Sequence, residues 1–259
     1  MTDASAKPRI AVHKFSSCDG CQLALLNSMP AVLALADRID IVHFAEAGPN
    51  DPDAEVDVAL IEGSVATAHD IERIREIRKN SKYLVSIGAC ATSGGLQALR
   101  NRANHDAWRA AIYPNAEYID SLAESNPIAA HVRVDRELHG CPVDSIQLLQ
   151  LIQALLLGGQ AEPEHDNVCT ECKRRGNTCV LVTREMPCLG PVTRAGCGAI
   201  CPSFGRDCYG CFGPADHTNT AALTARFRAL GLSEAEIADR FLAINNQAPA
   251  FRDAGLARR

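Results

Sequence analysis

Aromatic side chains are scarce in this chain of 259 residues: one Trp, four Tyr and seven Phe make up 5% of it. So few ring faces leave little platform for stacking the bases of a single-stranded nucleic acid. A basic excess is lacking as well. Lys and Arg number 26 against 31 Asp and Glu, a formal net charge of −5, which argues against a general nucleic-acid binder. Long apolar runs are also missing. The longest, Leu148 to Leu157, is broken by Gln150 and Gln153 and is too short to span a bilayer, so no membrane span is expected. The first residues, MTDASAKPRIAVHKF, show neither a basic segment followed by an apolar one nor paired arginines, so no export leader is expected and the cytoplasm is the expected location. At 47% hydrophobic and 22% charged, the composition is that of a globular chain that buries a core, which excludes disorder and collagen.

Cysteine is abundant, with 12 residues. A secreted disulfide scaffold would be shorter and would carry a leader, so in a reducing compartment these thiols read first as metal ligands. Only Cys18, Cys21, Cys90 and Cys141 precede residue 160, and eight more fall between Cys169 and Cys211. The break lies at Gly158-Gly159-Gln160, followed by Pro163 in the polar run EPEHDN, which reads as a linker or surface loop. Two domains are expected, 1–160 and 161–259.

The first part alternates strand and helix patterns. Arg9–Phe15, Ile39–Ala45, Asp57–Ile61, Tyr83–Ile87 and Val132–Leu138 read as strands. Helices are expected after Cys21 with an interruption at Pro30, over His69–Lys79, and from about Val143 to Leu157. Short apolar strands alternating with helices imply an open parallel α/β sheet of the flavodoxin or Rossmann type.

That topology predicts a meeting place. Cys18 and Cys21 follow strand one, Glu62 strand three, Cys90 strand four and Cys141 strand five. The carboxyl ends of strands in such a sheet share one edge, where ligands bind. Four thiols distant in sequence then converge, which buried packing cysteines have no need to do. Cys21 opens one helix and Cys141-Pro142 precedes another, with Pro142 suited to a helix start. Helix N-termini favour thiolates and anionic groups such as a thiolate-held iron–sulfur cluster. A dithiol oxidoreductase would use Cys18-Asp19-Gly20-Cys21 alone and would have no role for Cys90 or Cys141.

The second part carries Cys169-x2-Cys172-x6-Cys179-x8-Cys188 and then Cys197-x3-Cys201-x6-Cys208-x2-Cys211. Eight ligands divide into two sets of four. Gly, Pro, Ser and Thr dominate between them, so this segment is expected to be largely irregular and organised by its metal centres. Cys201-Pro202 matches the Cys-Pro ending of ferredoxin ligand runs, while paired Cys-x-x-Cys also suits structural zinc. Lys173, Arg174, Arg175, Arg184, Arg194 and Arg206 outnumber Glu171, Glu185 and Asp207 by three. That surplus offsets a dianionic centre of either kind.

Together, FSSCDGCQLALL, IEGS at Ile61–Ser64, IGACATSGG at Ile87–Gly95, HGCP at His139–Pro142 and the eight-cysteine segment resemble the small subunit of [NiFe] hydrogenases. The likeness is to the cytoplasmic sulfhydrogenase, NADP-reducing and deazaflavin-linked branch, and spans roughly residues 9 to 213. The resemblance implies a flavodoxin-like domain with a proximal [4Fe–4S] cluster on Cys18, Cys21, Cys90 and Cys141. It implies a distal cluster on Cys169, Cys172, Cys179 and Cys188, and a medial one on Cys197, Cys201, Cys208 and Cys211. Cys169 stands where periplasmic members carry His, and Cys201 supplies a fourth medial ligand, so three [4Fe–4S] clusters are expected. Asp19 and Gly20 stand where oxygen-tolerant members carry extra cysteines. The related subunit of respiratory complex I has adjacent cysteines in place of Cys18-x-x-Cys21 and lacks the eight-cysteine segment.

By the same resemblance the chain is the electron wire of a hydrogenase, with no catalytic residue of its own. The expected partners are the large subunit bearing the NiFe centre and flavin- and iron–sulfur-containing NAD(P)-reducing subunits. His165 is not expected to be a ligand. His139 is read as a donor toward a sulfur or the partner surface. Glu62 faces the large subunit or a proton path, or else caps a surface turn. The tail contains two helical patterns, NTAALTARFRALGL and SEAEIADRFLAI with Ser233 as N-cap. It clamps a partner or covers the cysteine-rich segment.

Overall fold

The computed structural model describes residues 7–28, 30, 38–156, 159 and 166–258. His165 and the expected linker at 160–165 lie outside the described residues, as do 31–37 of the segment after Pro30. The strands are β1 (Arg9–Lys14), β2 (Asp40–Phe44), β3 (Val56–Glu62), β4 (Ser81–Ile87) and β5 (Arg136–Leu138). Their order is β2-β1-β3-β4-β5 and every pair is parallel, the flavodoxin-like arrangement. Between and after them run α1 (Gly20–Asn27), α2 (Ala68–Lys79), α3 (Gly88–Ser93), α4 (His105–Ile112) and α5 (Ser145–Leu156).

Strand side chains alternate between two faces. Ile10, Val12, Val58, Leu60, Val85 and Ile87 pack against Cys21 and Leu25 of α1 and Leu148, Leu151 and Ile152 of α5. Ala11, Phe15, Ala59, Ile61 and Leu84 pack on the other side with Ile74 and Ile77 of α2. Helix α2 starts at a reciprocal cap: Asp70 N donates to Thr67 Oγ1 and Thr67 N to the Asp70 carboxylate, and Arg78 and Lys79 sit at its negative end.

Two expectations are corrected. The fifth strand covers three residues rather than Val132–Leu138. Asp135 stands just before its first residue, where its carboxylate takes the Leu84 N–H at 2.9 Å and pairs with Arg78, so a side chain replaces the ladder there. Pro142 does not open α5. The Cys141–Pro142 peptide is cis, and α5 begins at Ser145 with Asp144 Oδ1 accepting from Gln147 N at 2.9 Å.

The cysteine-rich segment holds only short helices, α6 (Val168–Arg174), α7 (Val180–Thr183) and α8 (Ile200–Ser203), joined by turns. The tail forms α9 (Thr220–Ala229), α10 (Glu234–Leu242) and α11 (Pro249–Leu256). Ser233 caps α10 with Glu236 as the returning partner, while α11 adds a third helix to the two expected. Phe227, Phe241 and Phe251 pack in a row, with ring centroids 6.4 and 5.7 Å apart. They lie against Val168, Cys188, Leu189, Val192 and Cys208, so the tail covers the cysteine-rich segment. Among the described residues no helix is long and apolar enough to cross a membrane.

Candidate metal centres

Cys18 lies in the loop after β1, Cys21 in the first turn of α1, Cys90 in α3 directly after β4, and Cys141 in the turn after β5. The sheet therefore delivers all four to its carboxyl edge. They are close enough to feel one another's charge: Cys21 with Cys90 and Cys141, Cys90 with Cys141 and Cys18, and Cys141 with Cys18. Burial, reinforced by this repulsion, raises the Cys90 thiol to about 11 and lifts Cys21 and Cys141 above their ordinary range. Thiols in such a place ionise only when a cation shares it.

Glycines line this site where backbone must approach sulfur. Gly88, at φ +82, would place a Cβ in overlap with Cys21 Sγ. Gly95, at φ +57, would place one 2.6 Å from Cys90 Sγ. Neither position tolerates a side chain, and both lie in the left-handed region that favours glycine.

Glu62 closes the site from below. It ends β3, is 2% exposed, and accepts from Cys21 N and Gln22 Nε2, each at 2.9 Å. It is therefore not a surface residue. Its carboxylate satisfies the first turn of α1 and fixes Cys21 there. His139 lies beside Glu137. Its Nε2 lies 3.9 Å from Glu137 Oε2, and burial together with Arg194 lowers its pKa to about 4, leaving it neutral.

In the second part, Cys169 and Cys172 sit on α6, Cys179 just before α7, and Cys188 beyond it. Cys169 feels Cys188, Cys172 and Cys179, and its thiol is pushed up to about 11, chiefly by burial. All four line one small cavity with Val168, Val180, Leu181 and Pro202. Cys211 feels Cys197 and Cys201, and Cys208 feels Cys211. The loop carrying Cys197 is wrapped around Glu171, whose carboxylate accepts from Gly196 N, Gly198 N and Ala199 N at 2.9, 3.0 and 3.2 Å. Gly196 and Gly198 have φ of +124 and +63, and Ala199 has +52. The loop thus turns its amides inward on one anion. In the sequence Glu171 stands out only as a charge.

Cysteines of the two parts of the chain also approach one another. Cys208 N donates to Cys188 Sγ at 3.2 Å, and Cys141 and Cys211 are near enough to feel one another's charge. Cys208 and Cys211 thereby lie between Cys188 on one side and Cys141 on the other. Among the described residues no three His, Cys, Asp or Glu side chains converge on one metal ion.

The family described as NADH ubiquinone oxidoreductase, 20 Kd subunit, matches residues 18–155. Sulfhydrogenase 2 subunit delta of Pyrococcus furiosus is 35% identical over 215 residues, covering 83% of this chain and 90% of that one. The chain belongs to the hydrogenase small-subunit family. A subunit of the vhu F420-non-reducing hydrogenase of Methanocaldococcus jannaschii is 30% identical, over 92% of this chain and 93% of its own length. Among solved structures, an NAD+-reducing [NiFe]-hydrogenase chain matches with a TM-score of 0.56 at 29% identity, over 61% of this chain and 95% of that one. A chain of the Ni-Fe-Se hydrogenase from Desulfomicrobium baculatum shares the fold at a TM-score of 0.57 and 18% identity, over 81% and 95% of the two chains. The small-subunit resemblance read from the motifs is thus borne out, and with it the α/β fold.

Proposed function

We propose that this small subunit is the electron wire of a cytoplasmic [NiFe] hydrogenase and holds three [4Fe–4S] clusters. The proximal ligands are Cys18, Cys21, Cys90 and Cys141, the medial ligands Cys197, Cys201, Cys208 and Cys211, and the distal ligands Cys169, Cys172, Cys179 and Cys188. The observation that carries this reading is the hydrogen bond from Cys208 N to Cys188 Sγ, together with the approach of Cys141 and Cys211 near enough to feel one another's charge, which puts the thiols in series. Structural zinc would draw four ligands to about 2.3 Å from one ion, whereas cubane ligands stand apart, one thiolate to each iron.

Bound in these sites, the clusters supply one-electron redox chemistry. The protein's part is to hold and tune. Glu62 fixes the turn that bears Cys21, and Glu171 fixes the loop that bears Cys197. Amide N–H groups aimed at sulfur, such as Gly210 on Cys208 at 3.4 Å, favour the more reduced, more negative state. Pro202 and Val180 line the cavity that the distal thiols share.

Exposed Leu23, Leu96 and Ile146 lie within a few residues of Cys21, Cys90 and Cys141, and this face is proposed to meet the large subunit that bears the NiFe centre and turns over H2. Exposed Val182 lies near the distal Cys179, and exposed Ile200 and Phe204 lie beside the medial Cys201; these side chains are proposed to meet flavin and iron–sulfur NAD(P)-reducing subunits. The domains are read as 1–160 and 161–259.

Serine replacements test the ligand sets. Cys90→Ser and Cys201→Ser are each expected to lower iron by about four atoms per chain, and to remove different electron paramagnetic resonance signals. Loss of the same signal from both would show that the two cysteines share a site and would sink the assignment.

A further inference from the structure

The segment after α10 reaches back some 150 residues and enters the gap between two cysteine sets. Asn245 is 1% exposed. Its Oδ1 accepts from Ser93 Oγ at 2.6 Å, and its Nδ2 donates to Gly210 O at 2.7 Å and Cys211 O at 3.2 Å. Ser93 ends α3, the helix that carries Cys90. The neighbours of Asn245 strengthen the join. Asn246 Nδ2 donates to Gly95 O at 2.9 Å, and Gln247 N donates to Ser93 O at 3.2 Å. Gly95 is the residue pressed against Cys90 Sγ. One buried amide therefore holds the Cys90 helix on one side and the Cys211 turn on the other, and Cys211 is near enough to Cys141 to feel its charge.

We infer that Asn245 is a positioning residue for electron passage between the proximal and medial cysteine sets. It keeps the Cys90 helix and the Cys211 turn in register, so that the close approach of Cys141 and Cys211 is retained. This rests on the cluster reading above. The transfer it serves oxidises one set and reduces the other by a single electron, with no bond made or broken in the protein. A buried amide is suited to the task because its donor and acceptor ends each demand a partner, and losing either leaves a buried polar group unpaired.

The test uses the anaerobically purified hydrogenase complex with Asn245→Leu, which removes both ends, and Asn245→Asp, which keeps the acceptor for Ser93 and loses the donor. Asn219→Ala serves as the comparison. It removes the α9 cap at Ala222 N, in the same tail but away from the gap. Iron and sulfide per chain are expected to stay at the parent value in all three. In both Asn245 variants, the magnetic coupling between the reduced proximal and medial sets should weaken. The rate at which the medial signal develops after H2 is admitted should fall about tenfold, and amide hydrogen exchange should quicken over 88–95 and 208–213. Asn219→Ala should change none of these. Unchanged coupling and exchange in Asn245→Asp, or an equal loss in Asn219→Ala, would overturn the inference. Should Asn245→Leu not accumulate, Asn245→Asp carries the same test. Absence of iron from the parent complex would defeat the cluster reading instead, and the exchange comparison would still report on the join.

Discussion

Replacing Arg240 with methionine is expected to destabilise the protein by about 3–5 kcal/mol, the cost of leaving a buried ion without its partner. Arg240 projects from α10 and pairs with Asp207, whose side chain is 6% exposed. The same guanidinium donates to Pro187 O and to Cys208 O and lies 5.1 Å from the centre of the Tyr209 ring. It therefore joins the tail to the stretches of chain beside Cys188 and Cys208. Methionine fills much of the space but leaves the Asp207 carboxylate buried without its partner cation. At about 2–4 °C per kcal/mol for a chain of this size, the melting temperature should drop by about 10 °C. Asp207→Asn in the same chain should recover part of the loss, because the uncompensated charge is then gone. A melting curve within about 2 °C of the parent would show that the ion pair is not what holds the tail in place.

Acid is expected to weaken the sheet region through His13. His13 and His43 are 2% and 3% exposed, on β1 and β2, with ring centroids 4.7 Å apart. Burial, then His43, then the Arg73 guanidinium lower the His13 pKa from 6.5 to about 3. Above pH 6.5 both the folded and the unfolded chain hold this ring neutral, and its full contribution to stability is present. As pH falls below 6.5 the unfolded chain takes up a proton that the folded chain refuses, so stability declines until about pH 3 and then levels. The whole excursion amounts to a loss on the order of 5 kcal/mol. His43 is lowered too, by burial and Arg73 against the opposing pull of Asp51 and Asp53, and adds in the same direction. Urea midpoints measured between pH 7 and pH 5 should fall in the parent and fall less steeply in His13→Val, with cluster lability common to both. Equal slopes would remove His13 from the account.

Much of this was legible in the sequence because the informative residues are local. Apolar runs such as VDVALIE mark strands, and Thr67 with Asp70 or Ser233 with Glu236 mark helix starts. Placing Cys18, Cys90 and Cys141 after strands was enough to predict their convergence, because a parallel sheet leaves its loops little choice of edge. What escaped depends on partners far away. Glu62 reads in the sequence as facing a partner or a proton path or capping a turn, and Glu171 only as a charge, until the fold supplies Cys21 N and the amides of 196–199. Asp135 shortens β5 only because Arg78 and Leu84 meet it. Asn245 stands 152 residues from Ser93, and no periodicity links them. The direction in which the tail packs was equally hidden, since an amphipathic helix shows that it covers something without showing what.

Twelve thiols serving three clusters in series fix the metal content that the chain should carry. The most direct measurement is iron, zinc and acid-labile sulfide per chain in anaerobically purified protein, taken with its visible spectrum. The account predicts about twelve iron and twelve sulfide, no zinc, and the broad absorption of iron–sulfur centres. About two zinc with no sulfide in a colourless sample would contradict it and would make the eight-cysteine segment a zinc-organised scaffold.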